Sequence, residues 1–180
     1  MNIDTTVAPE ADYAAVTAPG SVRIQRLLPG PIERIWGYLT EGDLLRQRLA
    51  AHDMAPQAGS TFELVWRNDE LTDPPGNKPE GFGGEHRMQS RILEFDPPRR
   101  LAFTWNDSGR VAFDLESMGD KVMLTIDHEG ISDRGNMLMI GAGWHMHVNV
   151  LEARVGGRES EPFWDGWLRL RGEYDRRIPA

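Results

Sequence analysis

The stretch Asp96-Pro97-Pro98-Arg99-Arg100-Leu101-Ala102-Phe103-Thr104-Trp105 decides the fold of this chain. Two consecutive prolines fix φ and remove two backbone donors, so the apolar strand that arrives through Leu93-Glu94-Phe95 must turn there. Beyond the corner, Leu101, Phe103 and Trp105 fall on one face and Ala102 and Thr104 on the other, the two-residue period of a strand packed on one side. The segment reads as the tight corner of an antiparallel sheet.

The same period extends in both directions. Upstream, Thr61 to Trp66 alternates, and Glu85 to Phe95 forms a longer strand whose repeat breaks near Ile92-Leu93, which predicts a bulge. Between them Arg67 to Gly83 holds three prolines and three glycines, a long loop of lid length. Downstream, Arg110 to Ser117 and Lys121 to Glu129 are joined by a hairpin turn at Met118-Gly119-Asp120. Nearer the start, Tyr13 to Thr17 is expected as a short strand, turned by Ala18-Pro19-Gly20-Ser21 into a stronger one over Val22 to Leu28. Pro29-Gly30-Pro31 ends it and opens a helix carrying Ile32, Ile35, Trp36 and Leu39. A second short helix is expected over Asp43 to Ala50.

At Ser132-Asp133 the period changes from 2 to 3.6. Met137, Ile140, Gly141, Trp144, Val148, Leu151 and Val155 share an arc of about 100° on one long helix, capped by Asp133 or Ser132 and ended by Gly156-Gly157. A final helix over 162–178 carries Phe163, Trp167, Leu170 and Tyr174 on one side. Residues 1–11 read as a mobile tail, and residues 12–180 as a single domain. The expected fold class is α+β: a helix-grip arrangement in which a curved antiparallel sheet is closed by the long C-terminal helix, with two short helices after the first strand and an extra C-terminal helix.

Composition narrows the function classes. The 180 residues carry 39% hydrophobic and 27% charged side chains, enough for one core. With no cysteine, disulfides and thiolate chemistry are excluded, and a cytoplasmic setting is expected. A net charge of −8 argues against nucleic acid as partner. No apolar run approaches the roughly 20 residues of a bilayer span, so no membrane partner is expected. The sequence carries no signal for an oligomeric state.

The fold signals resemble the START and birch-pollen-allergen superfamily of helix-grip proteins (SRPBCC), and within it the group named for the activator of the heat-shock-protein-90 ATPase. The residues that carry the likeness are Pro31-Ile32-Glu33-Arg34-Ile35-Trp36, Leu93 through Trp105, and Gly143-Trp144-His145-Met146-His147-Val148. The likeness spans about residues 12–178. It implies a cavity between sheet and long helix that holds a small apolar ligand, or a chaperone partner as the group's name suggests, or a cyclase- or hydrolase-type enzyme. One departure stands out. Similar bacterial chains often place a tryptophan in the second short helix, where this one has Leu45-Arg46-Gln47-Arg48-Leu49, which makes that rim basic.

Alternation and helical spacing select the candidate lining. From the strands come Trp66 and Met88, then Phe103 and Trp105, then Phe113, Leu115 and Ile126; from the long helix come Met137, Ile140, Trp144 and Val148. Large aromatics and adaptable methionines suit an apolar ligand, and the same stripes also suit a filled core. Three histidines, His86, His128 and His147, are the candidate acid–base groups because they share those faces or border the helix stripe. His145 and His147 lie about 200° apart on a helix and cannot chelate one ion together. No cofactor or metal is expected. Asp114, Glu116, Asp127 and Glu129 sit on the opposite strand faces, as a solvated outer surface requires.

Overall fold

The computed structural model describes residues 10–46 and 51–180. The chain forms β1 (Ala15–Ala18), β2 (Ser21–Pro29), α1 (Ile32–Thr40), α2 (Gly42–Arg46), β3 (Ala51–His52), β4 (Thr61–Trp66), β5 (His86–Asp96), β6 (Arg100–Trp105), β7 (Gly109–Met118), β8 (Lys121–Glu129), α3 (Arg134–Val155) and α4 (Phe163–Arg177). Among the described residues, eight antiparallel strands make one sheet in the order β1-β2-β8-β7-β6-β5-β4-β3. The sheet is the curved one of the helix-grip architecture, with α3 against its inner face.

The proline corner sits where the sequence places it. β5 ends at Asp96 and β6 begins at Arg100, with those two residues paired across the turn. Leu101 and Phe103 are buried on the inner face and Trp105 is half-buried. The outer face is ionic: Arg100 donates to Asp114 at 2.6 Å, and Arg23 donates to Asp127 at 2.7 Å. The register breaks between Ile92 and Glu94, so Leu93 is the bulged residue. Here β5 changes partner. Its first half pairs with β4 and its second half with β6.

Several expectations change in detail. Tyr13 is not in a strand; its ring is buried beside α3 and α4, and β1 begins at Ala15. Glu10–Asp12 forms a 3-10 turn, and the Glu10 carboxylate accepts from Arg177 at 2.8 Å; the rest of the expected tail lies outside the described residues. In α2 the helix ends at Arg46, and residues 47–50, including Arg48 of the expected basic rim, lie outside the described residues. The Arg67 to Gly83 loop contains a 3-10 turn at Asn68–Glu70.

The largest difference concerns α3. Asp133 caps it by accepting the Asn136 N–H at 2.9 Å, as expected, but the helix is buried on two sides rather than one. Trp144, Val148, Leu151 and Val155 pack on the sheet. Met137, Leu138, Ala142, Met146 and Val150 pack against α4 in a second core that also holds Phe163 and Trp167. Met137 therefore belongs to this second core and not to the one between sheet and helix. A helix between two layers has two apolar faces, and a one-stripe reading hides the second.

α4 comes close to α3 at Gly166, where an added Cβ would lie 2.5 Å from the Met146 sulfur and 2.9 Å from the Glu161 carboxyl carbon. Gly166→Val is accordingly expected to cost about 1–3 kcal/mol through overpacking. A lowered urea midpoint with unchanged slope would carry that result; an unchanged midpoint would contradict the tight seam. Among the described residues, no helix is long and apolar enough to cross a membrane.

Candidate functional site

The interior between sheet and α3 is filled. Phe62 and Phe103 meet edge to face at 5.3 Å, Phe103 stacks on Phe113 at 5.8 Å, and Phe113 meets Trp144 at 5.6 Å. Met88, Leu115, Ile126 and Val148 are buried in the same core. Open space lies instead at one end of this core, beyond Phe103, as a cavity of about 400 Å³.

Two aromatic walls bound it. The first climbs the sheet edge to α3: His86 lies 5.6 Å from Trp66, Trp66 lies 5.3 Å from Trp105, and Trp105 lies 5.5 Å from Trp144. The second runs along α4 and the long loop: His147 lies 5.0 Å from Phe163, Phe163 5.0 Å from Trp164, and Phe82 5.2 Å from Trp164 and 5.3 Å from Trp167. Phe82 and Met139, both exposed, form the rim.

Of the expected lining, Trp66, Trp105, Ile140 and Trp144 border this cavity, together with His86 and His147. Met88, Phe103, Phe113, Leu115, Ile126, Met137 and Val148 lie in the two cores. Phe82, Phe163, Trp164 and Trp167 belong to the cavity without having been singled out as its lining. For Phe163, Trp164 and Trp167 the signal was present in the sequence as a cluster of aromatic residues at the start of the last helix, yet its spacing reads equally well as packing; Phe82, in the long loop, carried none.

The loop and α4 hold each other in place. The first N–H groups of a helix lack intrahelical acceptors; here Phe163 N–H donates to the Thr72 hydroxyl at 2.8 Å and Trp164 N–H to the Pro75 carbonyl at 2.9 Å. The Trp164 indole N–H donates to Asp69 at 2.7 Å, and Lys78 donates to the same carboxylate at 2.8 Å. These bonds, Lys78 foremost, hold the Asp69 carboxyl below the usual carboxylate range. The near half of the long loop is thus a fixed strap, from which Asn68 reaches the cavity lining, while the far half borders the opening around Phe82.

The histidines occupy different environments. Trp144 donates its indole N–H to His128 Nδ1 at 2.9 Å, so that nitrogen carries a lone pair and His128 is neutral. Burial pushes its pKa down to about 4. His145, on the other side of α3, has its Nδ1 2.9 Å from the Tyr174 hydroxyl, and burial first, then nearby arginines, push it down to about 3. His86 is exposed at the cavity mouth, whereas His147 is buried at its back. Among the described residues, no three His, Asp or Glu side chains are grouped to hold a metal ion.

Both depressed values fix a pH dependence. The unfolded chain binds a proton on each of these histidines near pH 6.5 and the folded chain does not, so stability present above pH 6.5 is lost as pH falls toward about 4 for His128 and about 3 for His145. Unfolding midpoints measured from pH 7.5 to 4.5 should decline, and the decline should shrink in His128→Gln. A flat profile would contradict the buried neutral imidazoles.

Residues 29–156 match the family model described as "Activator of Hsp90 ATPase homolog 1-like protein". The chain belongs to that family. Among solved structures, it is similar to the protein encoded by gene BPP1335 from Bordetella parapertussis, at 33% identity and a TM-score of 0.77, covering 92% of this chain and 90% of that one. CalU16 from Micromonospora echinospora shares the fold at 20% identity and a TM-score of 0.65, with 89% of each chain covered. So does the conserved protein EF2215 from Enterococcus faecalis, at 16% identity and a TM-score of 0.68, covering 89% and 86%. A comparison with curated proteins finds no match. Membership in the Hsp90-ATPase-activator-like family agrees with the SRPBCC resemblance. It also matches the observed helix-grip sheet and long helix, while the aromatic α4 lies beyond the matched residues.

Proposed function

We propose that this protein binds a small apolar or aromatic ligand in the cavity between the two aromatic walls. One observation carries the reading: five of the six tryptophans of the chain, Trp66, Trp105, Trp144, Trp164 and Trp167, border one cavity of about 400 Å³. That volume lies within the range of about 300–1,000 Å³ common for small-molecule sites. Two of the indoles are held by hydrogen bonds at their outer edges, to His128 and Asp69. Rings fixed before binding lose little freedom on binding, which favours affinity.

Binding is preferred to turnover because His128, the candidate base nearest the core, does not border the cavity, has its Nδ1 lone pair taken by Trp144 and, with its pKa pushed down to about 4, is a weak base. It is preferred to chaperone docking, which the family's description suggests, because the aromatic surface faces inward across a slot rather than outward over a flat patch.

Titration with a flat aromatic such as 2-naphthol, followed by tryptophan fluorescence and thermal unfolding, tests the proposal. Saturable quenching is expected, with a rise in midpoint that grows with ligand; a hundredfold excess over Kd corresponds to about 2.7 kcal/mol. Linear, unsaturable quenching with a constant midpoint would refute it.

A further inference from the structure

We propose that the cavity is an aromatic cage for an organic cation, a compact or flat ligand bearing a quaternary ammonium group; this rests on the cavity being a ligand site. The charge of its lining argues for this. Among the described residues, no lysine or arginine borders the cavity, and its polar residues are Asn68, Glu85, His86 and His147. The nearby cations are already committed. Arg67 donates to Glu85 at 2.9 Å, Arg87 donates to Glu85 at 2.6 Å and to Glu63 at 2.7 Å, and Lys78 is bound to Asp69.

Indole rings present a negative face and a positive N–H edge. The positive edges of Trp144 and Trp164 are turned away into hydrogen bonds with His128 and Asp69, so neither can donate to a bound anion. A ligand carboxylate would give up its water here without meeting a cationic side chain among the described lining residues, and with neither of these two indoles as a donor, which is costly. A quaternary ammonium has the opposite balance. Its methyl groups hold water weakly, its charge is attracted to the ring faces, and the cage offers several. Glu85 stands at the entrance with its charge matched by Arg87 and Arg67, and the chain as a whole carries a net charge of −8.

The test compares three probes of similar size on the full chain at pH 7.5, by calorimetry and tryptophan quenching: benzyltrimethylammonium, its uncharged isostere neopentylbenzene, and phenylacetate. The cation should bind about tenfold more tightly than the isostere, within a range of roughly 3- to 30-fold, and phenylacetate should bind most weakly. An isostere that binds within threefold of the cation or better, or phenylacetate as the tightest ligand, would overturn the cation cage while leaving the cavity a ligand site. If none of the three binds, the cage and the ligand-site reading both fail.

Discussion

Trp144→Ala is expected to lower the stability of the fold by about 3–5 kcal/mol and to abolish aromatic ligand binding. Trp144 is 3% exposed and stands where the filled core gives way to the cavity. Its ring meets Phe113 at 5.6 Å on the core side and Trp105 at 5.5 Å on the cavity side. Truncation removes both contacts and leaves His128 Nδ1, a buried acceptor, without its donor. Because the new space is continuous with the cavity, water can reach the imidazole, and the His128 pKa should rise from about 4 toward its ordinary value. Trp144→Phe separates the effects: it keeps most of the apolar contact but not the donor, so its cost should be closer to about 1–3 kcal/mol. Urea unfolding and an NMR titration of the His128 ring check both. An alanine variant as stable as the parent, or an unmoved His128, would contradict the assignment of Trp144 as the wall between core and cavity.

Tyr174→Ala is expected to cost a similar amount, about 3–5 kcal/mol, at the opposite face of α3. The residue is fully buried, and its hydroxyl accepts the Ala14 N–H at 2.7 Å and shares a hydrogen bond with His145 Nδ1 at 2.9 Å. Burial raises the hydroxyl's pKa, so it keeps its proton throughout the accessible pH range. This one side chain joins the N-terminal segment, the long helix and α4. Tyr174→Phe keeps the ring and loses both hydrogen bonds, for about 1–3 kcal/mol. In that variant the Ala14 amide should exchange faster with solvent, ahead of amides in the central strands. Protection unchanged at Ala14 would show that the hydroxyl does not hold the segment.

The two predictions concern opposite faces of α3, and they mark where the sequence could be read and where it could not. The proline corner, the Leu93 bulge, the Gly119-Asp120 turn and the Asp133 cap each follow from local chemistry, so a single sequence reveals them. The sheet-facing stripe of α3 follows from its period. Its second face does not, because Met137, Leu138, Ala142, Met146 and Val150 become a core only when α4 lies across them. For the same reason His145 and His147, two residues apart, end in unrelated surroundings: one beside Tyr174, the other beside Phe163.

The cavity was partly legible. Trp66, Trp105, Ile140 and Trp144 were reached through alternation and helical spacing, and they border it. Phe103, Phe113 and Ile126 have the same periodicity but fill the interior, since alternation reports a face and not the volume left over between faces. Phe82 could not be found this way. It stands in a glycine-rich loop with no period, and meets Trp164 and Trp167 only because Asp69, Thr72 and Pro75 bind the start of α4.

The chain carries its own control for the central claim, that ligand enters the tryptophan-lined end and not the filled interior. Trp36 of α1 packs against Phe95 at 5.4 Å and does not border the cavity, unlike the other five indoles. In two-dimensional NMR of the nitrogen-15-labelled protein, a saturating flat aromatic ligand should shift the indole N–H signals of Trp66, Trp105, Trp144, Trp164 and Trp167 and leave that of Trp36 in place. Shifts centred on Trp36, or no shift at all upon saturation, would contradict the account.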